Sequence, residues 1–362
     1  MQNIEAQVNA LLRPEVLALS AYHVQNAKGL IKLDAMENPY TWPKEMVDEW
    51  LEVLRNAEVN RYPDPSADRL RSALRAANGI PEAAEVMLGN GSDELIQIIL
   101  MGLRGDNPVV LAPQPTFVMY RQIAISLGLQ FVGVDLIEQD FSLDMPAMRD
   151  AIHQHRPKVI FLAYPNNPTG NVFADQDIVE ILRIAPGLVV VDEAYAPFAD
   201  ATFMQRALEF PNLLVMRTLS KLGLAGLRLG FLVGHPAWIS QLDKLRLPYN
   251  INVLTQYTAE FALLKQAVLD AQVGWIRRDR ELMMAELASL PVKVFPSSTN
   301  FISFRLMEND AFEVFERLKQ AGVLIKNLSS AGGQLLNCLR VTVGTPYENQ
   351  RFIDALKEVL RS

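Results

Sequence analysis

From residue 85 onward, short apolar runs alternate with longer ones in which apolar residues recur every three or four positions. The short runs fall at 85–88, 108–112, 131–135, 158–163, 188–192, 213–217 and 229–233, and some are apolar without interruption, as in Leu188-Val189-Val190-Val191. A strand that reads this way is covered on both faces, which is the habit of parallel sheets. Between most of the short runs lie amphipathic stretches at 93–102, 116–127, 144–155 and 175–184, long enough to be helices. The alternation predicts an α/β fold with a mostly parallel sheet of seven strands covered by helices. Ligands of such sheets bind beyond the carboxyl ends of the strands.

After Pro248-Tyr249-Asn250 the pattern changes. Two helical stretches, 254–265 and 269–290, lead into a smaller α/β unit with strands at 292–295, 301–306 and 339–343 and helices at 311–321 and 347–360. The first 40 or so residues carry no strand-rich pattern. The expected division is therefore an N-terminal segment, 1–40, packing with a small domain formed by 251–362, and a large domain, 41–250, inserted between them.

Composition narrows the chemistry. With 362 residues, half of them hydrophobic, the chain has enough apolar surface for a large core. A net charge of -7 argues against a nucleic-acid surface, which needs clustered Lys and Arg. The single cysteine, Cys338, has no intramolecular partner, and His23, His153, His155 and His235 show no ligand spacing, so no metal centre is expected. No apolar stretch is long enough to span a bilayer, and Met1-Gln2-Asn3-Ile4-Glu5 does not begin a signal peptide, so a cytoplasmic location is expected.

Three segments that follow predicted strands carry candidate chemistry. Asp192 ends an apolar run, where a buried carboxylate needs a charged or hydrogen-bonding partner. Thr218-Leu219-Ser220-Lys221 carries a lysine that would act as a nucleophile once desolvation and neighbouring cations lower its pKa. Asn90-Gly91-Ser92-Asp93 opens an apolar helix, so its free N–H groups and the helix dipole suit an anion. Taken singly, each has a plainer reading: a loop lysine, a structural ion pair, a helix cap. Together they supply what pyridoxal phosphate needs, a lysine for a Schiff base, a carboxylate for the ring nitrogen and donors for the phosphate. Neither a Gly-x-Gly-x-x-Gly fingerprint nor a Gly-Lys-Ser phosphate loop occurs.

With Tyr164-Pro165-Asn166-Asn167-Pro168-Thr169-Gly170, these segments resemble the fold type I aminotransferases. The finer pattern, including Leu224-Ala225-Gly226-Leu227-Arg228 and the stretch from Cys338 to Thr345, is similar to that of the histidinol-phosphate aminotransferases, over essentially the whole chain. The resemblance implies pyridoxal 5'-phosphate as cofactor. In it Lys221 forms the Schiff base and moves the proton, Asp192 meets the pyridine nitrogen, and Tyr195 and Asn167 share the phenolic oxygen. Gly91, Ser92, Asp93, Ser220 and Arg228 make the phosphate cup, Phe117 stacks on the ring, and Tyr62 reaches the phosphate from the neighbouring subunit of a homodimer. Arg340, Lys326, Tyr22 and Asn167 would face the substrate; several family members have a second arginine where this chain has Lys326. The implied reaction is reversible amino transfer between L-histidinol phosphate and 2-oxoglutarate, giving imidazole acetol phosphate and glutamate. A broad aromatic aminotransferase and a phosphothreonine decarboxylase share the cofactor residues, and a non-catalytic regulatory protein would be an alternative of another class.

Overall fold

The computed structural model describes residues 4–21 and 25–361. The first strand is β1 (Ile31–Lys32). The large sheet follows, built from β2 (Glu85–Gly89), β3 (Val109–Gln114), β4 (Gln130–Asp135), β5 (Val159–Ala163), β6 (Leu188–Asp192), β7 (Leu213–Thr218) and β8 (Gly230–Gly234). Their order across the sheet is β2-β8-β7-β6-β5-β3-β4. Neighbours pair in parallel except around β8, which is antiparallel to both β2 and β7. The predicted seven-stranded, mostly parallel sheet is thus present.

Alternating side chains send each strand into the two layers of the large unit's core. Val189 and Val191 of β6 join Val215, Phe231 and Val233 on one face, over the helices Asp68–Asn78, Met145–His155 and Asp175–Ile184. Leu188 and Val190 join Leu214, Met216 and Leu232 on the other, over the helices Ser92–Met101, Val118–Ser126 and Pro236–Leu242. Both faces are dry, so β5, β6 and β8 are buried at every position. Each large apolar side chain buried this way contributes about 1.5–3 kcal/mol.

A second core lies beneath a four-stranded antiparallel sheet of β9 (Val292–Val294), β10 (Phe301–Leu306), β12 (Lys326–Asn327) and β13 (Cys338–Thr342), in the order β12-β13-β10-β9. The helices Gln266–Ala288, Ala311–Gln320 and Pro346–Arg361 cover it with Ile276, Val314 and Phe352 among others. Tyr195 and Phe198, which follow β6, belong to this second core and join the two units.

The N-terminal stretch differs from the sequence expectation in containing a strand. β1 pairs in parallel with β11 (Val323–Leu324), Ile31 opposite Val323 and Lys32 opposite Leu324. Beyond β1, Leu33 donates its N–H to Leu324 O and accepts from Thr342 N–H. A two-residue strand has no period to read, and its partner lies almost 300 residues away.

Candidate active site

One edge of the large sheet gathers the chemistry. Because β8 alone runs backward, Arg228 enters this edge just ahead of β8, while β2, β3, β5, β6 and β7 deliver their following loops to it. A cleft there is lined by Ser92, Asp93, Phe117, Asn167, Asp192, Tyr195, Ser220, Lys221 and Arg228, together with Met36, Thr218 and other neighbours.

Asp192 forms the floor, 4% exposed at the end of β6. Its Oδ2 accepts a 2.6 Å hydrogen bond from the Tyr120 hydroxyl, and its Oδ1 accepts from the Ala194 N–H at 3.1 Å. Burial raises its pKa from the usual carboxylate value to about 6, with those two bonds opposing the rise. The neighbouring Glu193 is paired with the Arg217 guanidinium at 2.7 Å and also accepts from Thr202 and the Phe203 N–H. That pair ties the end of β6 to the end of β7.

Lys221 follows β7 in a tight turn spanning Ser220–Leu224. Its Nζ lies 3.5 Å from Ala35 O and 5.8 Å from the centre of the Tyr195 ring. Burial, then the Arg340 cation, brings its pKa down from 10.5 to about 8, aided by Arg228 and opposed by Glu37 and Asp93. A neutral, nucleophilic amine is therefore accessible near physiological pH.

Beside it sits a cup of donors. Ser92 opens the helix Ser92–Met101. Arg228, in the left-handed region at φ 49°, places Nη1 3.5 Å from Ser220 Oγ and Nη2 3.4 Å from Asp93 Oδ2. Gly91 is required there: its φ is +86°, and a Cβ would lie 2.7 Å from Arg228 Nη2. Burial raises the Asp93 pKa, and its Oδ1 has no hydrogen-bond partner.

The opposite wall belongs to the small unit. Arg340 on β13 is 6% exposed and donates from Nη1 to Asn167 Oδ1 at 2.6 Å and from Nη2 to Asp34 O at 3.1 Å, above the Phe301 ring. Lys326 is opposite Arg340 across the β12–β13 ladder, and burial and that guanidinium lower its pKa. Both cations and Asn167 also line a second, adjoining cleft with Met36, Phe117 and Ser20. Asn166 fixes the turn that presents Asn167. It is fully buried, donates to Pro115 O and Thr169 Oγ1, and accepts from Thr116 Oγ1. The same side chain thus anchors Asn167 and the loop leading to Phe117.

The structure does not bring every expected residue together within one chain. Tyr62 is 81% exposed and stacks on Tyr249 at 4.5 Å, outside the Lys221 cleft. Gly91 backs the cup instead of lining it. Tyr22 lies outside the described residues. Sequence reasoning missed Tyr120, Asn166 and the backbone of 34–36. Tyr120 had a signal, since it follows Phe117 by three residues on an expected helix and so shares its face. The 34–36 backbone had none.

The donor set suits pyridoxal phosphate. One cleft brings together a buried carboxylate, a lysine, and an anion cup of a guanidinium, two hydroxyls and a helix start. Among the described residues, no His, Cys, Asp or Glu cluster could hold a metal ion, and no helix is long and apolar enough to cross a membrane.

The chain is similar to known proteins in sequence and in fold. The family model for aminotransferase class I and II matches residues 28–356. The chain is 57% identical over 347 residues to histidinol-phosphate aminotransferase 2 of Nitrosococcus oceani, covering 96% of each chain. It is 50% identical to histidinol-phosphate aminotransferase of Chromobacterium violaceum, covering 97% of this chain and 98% of that one. Among solved structures, histidinol-phosphate aminotransferase from Sinorhizobium meliloti in complex with pyridoxal-5'-phosphate superposes with a TM-score of 0.86 at 22% identity, covering 97% of this chain and 98% of that one, a likeness of fold.

Proposed function

The chain belongs to the aminotransferase class I and II family, and from that premise we propose that it moves an amino group reversibly between L-histidinol phosphate and 2-oxoglutarate. The products are imidazole acetol phosphate and glutamate. As a family member it is a pyridoxal-phosphate-dependent transaminase. The observation that carries the substrate proposal is the pair of cations, Arg340 and Lys326, set side by side in the cleft that shares Met36, Phe117 and Asn167 with the Lys221 cleft. An arginine fork accepts a phosphate ester or a carboxylate, so one anchor serves both substrates.

When bound, the cofactor supplies a protonated pyridine ring that draws electron density from the substrate Cα. The chain's residues make that useful. Asp192 holds the proton on the ring nitrogen, Tyr195 and Asn167 hold the phenolic oxygen, and Phe117 covers a ring face. Backbone N–H groups of Ser92 and Asp93, presented by the Gly91 turn, hold the phosphate with Ser220 and Arg228, joined by Tyr62 from a partner subunit in a homodimer. Lys221 Nζ takes and returns the Cα proton, and its lowered pKa suits both directions of transfer. Arg340, Lys326, Asn167 and Tyr22 orient the substrate. We place the enzyme in the cytoplasm, where a lone buried thiol such as Cys338 persists reduced.

The test is the absorbance of the cofactor-loaded protein. L-histidinol phosphate should abolish the band of the bound cofactor and 2-oxoglutarate should restore it. An equal response to phenylalanine would indicate a broad aromatic aminotransferase, and carbon dioxide release from phosphothreonine a decarboxylase. No response to any amino donor would leave the regulatory-protein reading.

A further inference from the structure

Among the described residues, the Tyr120 hydroxyl is the one side-chain group hydrogen-bonded to the Asp192 carboxylate, and the aminotransferase reading assigns it no task. It is fully buried on the helix Val118–Ser126. Its ring is stacked on Phe161 of β5 at 4.7 Å and 11°, and it meets the Phe117 ring edge-on at 5.5 Å and 85°. A phenol held this firmly has little freedom to turn its hydroxyl elsewhere.

We propose that Tyr120 is a positioning residue for the transamination: its hydroxyl, donated to Asp192 Oδ2, keeps that carboxylate ionised and aimed at the cofactor's ring nitrogen. The inference rests on the pyridoxal-phosphate reading of the site, not on the identity of the substrate.

The surroundings show why such a donor is needed. Burial, Asp93 and Glu193 all push the Asp192 carboxyl toward its neutral form, and the bond from the Tyr120 hydroxyl, ahead of that from the Ala194 N–H, pushes it back. Glu193 is spent on Arg217, and Asp93 leans toward Arg228. A neutral carboxyl would have no charge to keep the ring nitrogen protonated. An ionised one has about four acceptor positions, so two remain after the bonds from Tyr120 and Ala194. Tyr120 also reaches the second contact with the ring, because Phe117, which would cover its face, rests against the Tyr120 edge. The tyrosine's own proton is secure: burial and the adjacent carboxylates of Asp192 and Asp93, with Tyr195, raise its pKa well above the ordinary phenol value.

Tyr120→Phe keeps the ring and removes only the donor. Three readouts are compared in the loaded enzyme. A hydrogen bond to a charged group is worth about 1.5–3 kcal/mol, so cofactor affinity and turnover should each fall roughly tenfold or more. The KM values for both substrates should stay unchanged. The pH midpoint of the bound cofactor's absorbance should rise by about half a unit or more, since a less positive ring makes the nearby Lys221 nitrogen a stronger base. Arg340, Arg228, Glu37 and Asp93, the other charges acting on Lys221, are untouched by the change.

The deciding step is a double-mutant cycle on cofactor affinity. In an Asp192→Asn background, Tyr120→Phe should have almost no further effect. An equal loss in both backgrounds would mean that Tyr120 only supports packing and would overturn the proposal, as would an unchanged midpoint. Should Tyr120→Phe fail to fold, 3-fluorotyrosine at position 120 keeps the shape and alters the acidity of the donor. The absorbance midpoint then has to move, and an identical midpoint overturns the proposal. None of these readouts depends on which amino donor the enzyme prefers, so an error in the substrate assignment would show separately.

Discussion

Asp192 is a carboxyl whose folded environment works against its charge, and that has a measurable sign. Its pKa rises from 3.8 to about 6 on folding without cofactor. Between those values the folded chain binds the proton more tightly than the unfolded chain, so stability attributable to this group is lost as pH rises from about 4 to 6. The loss is on the order of 2–3 kcal/mol. Asp192→Asn removes it. Urea unfolding of the cofactor-free proteins should therefore show wild type losing ground to the variant across that window and holding a constant deficit above it; parallel pH profiles would contradict the burial argument. Asp192 and Lys221 could be read from the sequence because each closes or follows an apolar run. Tyr120 and Asn166 were hidden because their importance lies in which atoms they meet, and those partners come from other elements.

At the scale of elements, the junction between β2 and the helix Ser92–Met101 depends on close approach. Gly230 of β8 passes so near that a Cβ there would lie 2.7 Å from the Gly91 carbonyl carbon and the Ser92 nitrogen. Gly91→Ala forces an alanine into a backbone conformation, φ 86° and ψ 166°, that glycine alone ordinarily adopts, costing about 1–3 kcal/mol, and presses on Arg228. Cofactor affinity measured by titration should drop roughly tenfold, in proportion to a distorted phosphate cup. Gly226→Ala, with nothing within 4 Å of the added atom, should leave it unchanged. Strands β5, β6 and β8 of the large sheet were legible because burial on both faces leaves an apolar run, and the edge strand β4, largely unburied, by its place in the strand–helix alternation. The two-residue strands β1, β11 and β12 were not, since tertiary pairing alone defines them. The helices Lys44–Leu54 and Asp68–Asn78 were also missed. Few of their residues are buried, Met46 in the first and Leu70 and Leu74 in the second, so the apolar stripe is thin.

The whole molecule leaves Tyr62 facing outward, stacked on Tyr249, with Leu247 71% exposed nearby in the chain. A homodimer that shares its sites would give that tyrosine a task in the partner's cleft. Subunits carrying Lys221→Ala and subunits carrying Tyr62→Ala should then complement each other. Each mixed dimer would regain one complete site, so random reassociation should restore up to about a quarter of wild-type activity. No gain over the sum of the separate variants would mean that Tyr62 does not serve across the interface.

The clasp between β1 and β11 has a consequence for how the molecule is made. Residues 33–38 touch Leu324, Thr342 and Arg340 on one side and Lys221 and Leu222 on the other. On the ribosome, that segment emerges well before its partners, which lie almost 300 residues further along the chain. Pairing over such a separation is slow to find, because the long intervening loop must close first. Lys221 and Asp192 are both translated before those partners exist, yet the backbone that roofs them settles only after residue 342 has been added. Until those partners are made, the nascent chain thus carries its reactive amine without the cover that the finished protein gives it.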